Sequence, residues 1–155
     1  MPHTTRFDWS GDDVSVMQSC IVWIDAEDLY LRNHHAFILG DAVEWLLFKP
    51  WGVSQPDDPR HYDYWFGECA WGDLDEFMKL SGKIIQINGC WDKEIPDANE
   101  PIGFRYLDVP KYIPLQKADG QEYEVDAEGL TLFGYDVHLT DVRIAPVKPC
   151  EIDLR

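Results

Sequence analysis

Proline and glycine interrupt this chain at short intervals, ten and eleven times in 155 residues. Glycine admits positive φ and proline removes a backbone donor, so both punctuate regular structure. Many short elements are expected in place of a few long helices. The runs between the breaks are rich in β-branched and aromatic residues, which suit a pleated, half-buried surface. With 45% hydrophobic and 14% aromatic residues, the chain can bury a core without staples. The expected class is α+β, a mainly antiparallel β-sheet with one or two short helices. A single domain over 1–155 is expected, its first 13 residues forming a loose polar arm.

Hydrophobic alternation places the elements. Val14 to Ile24 reads as a strand with Val14, Val16, Cys20, Val22 and Ile24 on one face, half exposed at its start and buried on both sides at its end. His34–Leu39 and Val43–Phe48 flank Gly40-Asp41 and predict a tight hairpin with a type II′ turn. A helix over Ala42–Phe48 competes, since Asp41 and Glu44 have capping-box spacing. His61–Ala70 is strand-like, with Tyr62, Tyr64 and Phe66 on one face. Asp73–Leu80 is the best helix, with Asp73 as cap, Glu76 at the capping-box position and Gly82 placed to end it. Strands are expected at Lys83–Asn88, Ile102–Val109 and Leu130–Leu139. Val142–Val147 is expected to pair back on the last of these through a turn at Thr140-Asp141.

Charge narrows the function. The chain carries 29 acids against 13 Lys and Arg, a net charge of -16. A field of that sign repels nucleic acid and anionic membrane and draws in basic partners. Seven Trp argue against a disordered acidic chain. No secretory signal is visible and no apolar run is long enough to span a bilayer, so a soluble, cytoplasmic protein is expected. Cys20, Cys69, Cys90 and Cys150 are widely spaced, which suits reduced, partly buried thiols better than zinc.

The acids cluster. Six lie between Arg6 and Arg32 with no base among them. Seven lie from Asp57 to Glu76 against Arg60 alone, and seven more from Asp119 to Asp141 with no base. A solvated polar face explains any one cluster. Three together ask for more, because self-repulsion of this size destabilises the compact state. The second and third clusters also carry aromatic residues, and aromatic anchors in an acidic rim suit a Lys/Arg-rich protein. The candidate partner-binding residues are Asp57, Asp58, Asp63, Trp65, Trp71, Asp73, Asp75 and Glu76 in one patch, and Glu122, Glu124, Asp126 and Glu128 in the other. Trp51, Trp71 and Trp91, at element ends, are candidates for exposure.

Catalytic and metal motifs do not appear. Adjacent His34 and His35 point to opposite faces of a strand, and no H-E-x-x-H, phosphate-binding glycine loop or G-x-S-x-G elbow occurs. His138, beside Asp136, could form an acid–base pair, but no nucleophile motif accompanies it. No catalytic residue, metal site or cofactor is expected.

The run Cys20-Ile-Val-Trp-Ile-Asp25, followed by Ala36-Phe-Ile-Leu-Gly-Asp-Ala-Val-Glu-Trp45, resembles the strand and hairpin that open some immunity proteins of bacterial polymorphic-toxin and contact-dependent-inhibition systems. Small size, acidity, Trp content and β structure are similar too. The resemblance implies a cytosolic protein that binds a cognate toxin, often a basic nuclease, and blocks its active site. The leading expectation is an acidic binding protein that neutralises a basic protein partner. The alternatives are a carbohydrate-binding β-domain using exposed Trp and Tyr, or a small enzyme pairing Asp/Glu with His34, His61 or His138.

Overall fold

A computed structural model describes residues 7–11, 13–26, 36–48, 63–66, 77–107, 110–119 and 129–147. These form ten strands: β1 (Ser15–Asp25), β2 (Phe37–Ile38), β3 (Ala42–Phe48), β4 (Tyr64–Phe66), β5 (Phe77–Asp92), β6 (Ile95–Pro96), β7 (Phe104–Arg105), β8 (Lys111–Leu115), β9 (Lys117–Ala118) and β10 (Thr131–Pro146). The main sheet has the order β10-β1-β4-β3-β5-β8, and β10 pairs with β5 as well. The sheet therefore closes on itself through β10, β1, β4, β3 and β5. Every pairing in it is antiparallel except β1 with β4. Two small ladders, β2 with β9 and β6 with β7, complete the described structure.

Closure depends on two strands of 16 residues, β5 and β10, which bend. Their shared ladder shifts register between Leu132 and Gly134, between His138 and Leu139, and between Thr140 and Arg143. Each shift adds an unpaired residue, which kinks the strand and increases its twist. Inside the closed sheet lie Val22, Ile24, Leu47, Leu80, Ile84, Ile87, Trp91, Tyr135, Val137 and Leu139. A second, smaller cluster of Phe7, Leu46 and Val147 has Trp9 packed against it. Phe7, in the expected polar arm, is only 5% exposed.

Antiparallel β structure dominates, as its patterning predicts. The helical part of the expected class has no counterpart among the described residues beyond the single helical position Ala26. β1 is exposed at its start and buried on both faces at its end, as expected. Its first half faces the other way, however. Met17 packs towards the core opposite Val142, whereas Val16 is 79% exposed opposite Arg143. Further along, Cys20 and Val22 face the core opposite Leu139 and Val137. The side-chain phase thus changes at Gln18, level with Asp141, whose φ of 53° is left-handed.

Four further expectations are corrected. Ala42–Phe48 is a strand, as preferred over the helix, but it does not form a hairpin with its predecessor. β2 pairs with β9, and β3 pairs with β4 and β5. Gly40 (φ 95°) sits third in a turn closed by Asp41 N–H donating to the Ile38 carbonyl at 3.1 Å, which is type II geometry. Phe77–Leu80 is the start of β5 and not the end of a helix, because β3 pairs with all of it and β10 with Met78–Leu80 on the other edge. Thr140-Asp141 is a bulge inside β10 and not a turn, so Val142–Pro146 continue along β1 and β5. Of the described part of Ile102–Val109, which ends at Leu107, only Phe104–Arg105 is strand, within the β6–β7 hairpin. No helix among the described residues is long and apolar enough to cross a membrane.

Candidate functional site

Two places on the closed sheet bring polar side chains together. The first is the seam between β1 and β4. Asp63, exposed just ahead of β4, accepts the Ile21 N–H on Oδ2 at 2.8 Å and donates its own N–H to the Ile21 carbonyl at 2.8 Å. This carboxylate thereby starts the parallel pairing of Val22 with Tyr64 and Trp23 with Trp65. Its charge reaches three neighbours. Burial pushes the Cys20 thiol up to about 12, and Asp63 adds to that rise. Burial also raises Tyr64, helped by Cys20 and Asp63. His138, opposite Ile21, is lowered by burial, with Asp63 acting in the other direction. A thiol held that high stays protonated near neutral pH and is a poor nucleophile.

The second place lies on the outer face across β3, β5 and β10. Trp9 donates its indole N–H to Glu44 Oε1 at 2.6 Å. Lys79, 1% exposed, donates to the Asp8 carbonyl and sits 5.3 Å from the Trp9 ring centroid. The Arg143 guanidinium lies 4.7 Å from the same centroid, and its Nε donates to Ser81 Oγ at 3.0 Å. Two cations against one indole ring are stabilised by its quadrupole and tie residues 8–9 to the sheet. Beside them runs an open groove of about 330 Å³, lined by Ala42, Val43, Glu44, Ser81, Gly82, Lys83, Asp141 and Arg143. Nothing in the local sequence marks this assembly, because its members are brought together only by strand register.

Of the sequence-derived candidates, the structure describes two. Asp63 is at the β1–β4 seam, and Trp65 is in β4, paired with Trp23 and Phe48. Asp57, Asp58, Trp71, Asp73, Asp75, Glu76, Glu122, Glu124, Asp126 and Glu128 lie outside the described residues, as do Trp51, His34 and His61. Trp91, expected at the surface, is fully buried in the core, where its ring packs against Gly89. Trp23 is buried as well, and its indole donates to Asp25 Oδ1 at 2.8 Å. The described Trp side chains therefore make no flat exposed row for stacking on sugars. Among the described residues no group of three His, Cys, Asp or Glu is placed to hold a metal ion.

No protein-family model, no curated protein and no solved structure matches this chain. Its own residues therefore carry the functional argument.

Proposed function

We propose that this protein is an acidic binding protein that neutralises a basic protein partner, in the specific form of an immunity protein that blocks a cognate bacterial toxin in the cytoplasm. The observation that supports this reading is the net charge of -16. Seven of the 13 bases lie among the described residues, and at least four of these make contacts within the fold. Lys79 and Arg143 hold Trp9, Arg105 pairs with Asp97 at 3.6 Å, and Lys117 pairs with Asp119 at 3.3 Å. Asp8, Asp13, Asp63, Glu94, Glu100 and Asp141 are exposed, and so are Lys83, Lys93, Arg105, Lys111, Lys117 and Arg143. Outside the described residues the chain carries sixteen acids against six bases, the 29 and 13 less those described. A net charge of -16 over the chain steers and orients a cationic partner.

The test is a binding titration against the product of the adjacent gene at rising salt, repeated with Asp57, Asp58, Asp73, Asp75 and Glu76 changed to Lys and, separately, with Glu122, Glu124, Asp126 and Glu128 changed to Lys. Affinity is expected to fall with salt and with each reversal. A Kd indifferent to both would sink the proposal.

A further inference from the structure

We infer that the open edge of β1, residues Ser15–Ser19, receives an extended segment of the basic partner as an added strand. This rests on the binding reading above and says where and how such a partner would dock. β1 is paired with β10 from Ser15 to Asp25. On its other side β4 reaches only Val22 and Trp23, and Asp63 takes Ile21. Among the described residues nothing pairs with the earlier stretch of that edge, and Ser15, Val16, Gln18 and Ser19 are exposed. Since Ile21 turns its N–H and carbonyl to this side, Ser19, two residues earlier, does so too. The Gln18 carbonyl points the other way, accepting from Thr140 Oγ1 at 3.1 Å.

An open strand edge is a pairing template, and proteins usually blunt such edges with lysine or proline. β8, at the far end of the sheet order, carries both in Lys111 and Pro114. The sequence Ser-Val-Met-Gln-Ser has neither, and Val16 offers an apolar side chain that is 79% exposed.

Charge selects the occupant. The edge is bracketed by exposed Asp13 before it and exposed Asp63 after it, with exposed Asp141 level with Gln18 one strand further in. The cation beside Val16, Arg143, is turned onto Trp9 and Ser81. A second copy of this chain would stack these same acids edge to edge with -16 on each side. An extended segment alternating Lys or Arg with apolar residues meets carboxylates at both ends and Val16 between them.

The experiment uses the full chain, ¹⁵N-labelled, and a short capped peptide of alternating Lys and Val. A second peptide of identical charge is N-methylated at alternate residues, so that one edge cannot donate hydrogen bonds. The first peptide should shift the amides of residues 15–19 and slow their exchange. N-methylation should weaken binding about tenfold, the expected loss of one or two net backbone hydrogen bonds. Ser19→Pro should act similarly, and Val16→Lys, at a solvent-facing position that leaves the fold intact, should weaken binding through edge charge alone. Equal binding of both peptides, still sensitive to salt, would overturn strand addition while leaving the acidic-binder reading standing. Binding of neither peptide at low salt would overturn both. Concentration-dependent dimerisation that protects residues 15–19 would overturn the basic occupant in favour of a second copy.

Discussion

At the scale of single residues, Gly134 is held between backbone and a buried ring. A Cβ there would lie 2.6 Å from the Ile24 carbonyl oxygen and against the Trp23 ring. One obstacle is backbone and the other is a buried indole, so neither can yield cheaply. Gly134→Ala is expected to cost about 3 kcal/mol or more, read from the shift in a urea unfolding midpoint. His138 supplies a pH effect. Its pKa is depressed in the folded state, so above about pH 6.5 it is neutral in both states and costs nothing. As pH falls from there through the folded value, the unfolded chain takes up a proton that the folded chain resists, and stability drops. His138→Gln should therefore lose less stability than the parent between about pH 7 and pH 5 in urea titrations. Parallel curves would show that His138 does not contribute.

At the scale of elements, most strands are legible from alternation, including the buried end of β1 and the preference for strand over helix in β3. What misleads is the chemistry of bends. Gly82 and Thr140-Asp141 have the residues of a helix stop and a tight turn, and they serve instead as the two sides of one bulge in the β5–β10 ladder. A Cβ on Gly82 would meet Leu139 Cβ and the Thr140 carbonyl at 3.3 Å, so close approach of the two strands explains the glycine. Phe77–Leu80 has good helical capping, but local preference is weaker than pairing on both strand edges. The acidic clusters are plain in the sequence because they are contiguous. The Trp9 assembly is not, since Trp9 and Glu44 are 35 positions apart and Lys79 and Asp8 are 71. That assembly makes its own prediction. Trp9→Ala should destabilise the protein by about 2 kcal/mol, and combining it with Arg143→Ala should cost less than the sum of the two changes. Strict additivity would mean that guanidinium and ring do not interact.

At the scale of the whole molecule, net charge and fold oppose each other. A charge of -16 repels itself across a sheet closed into a small volume, and salt relieves this as the Debye length falls to about 8 Å at physiological ionic strength. The melting temperature should rise as sodium chloride is raised from near zero to about 0.15 M. A fall would show that internal ion pairs outweigh the repulsion. Closure of the sheet also has a kinetic consequence. β1 and β10 pair residues more than a hundred positions apart, from Ser15 with Ile144 to Asp25 with Gly134, and β10 also completes the partnering of β5. Such contacts must bear the entropy of closing a long loop before they return any stability, so high contact order makes refolding slow, on the millisecond-to-second scale. On a ribosome, β1 is made early and must wait for its partner. Until β10 emerges, the edge of β1 that β10 covers in the finished protein stays open from Ser15 to Asp25. The strand that joins last therefore decides how long the nascent chain is most prone to pair wrongly.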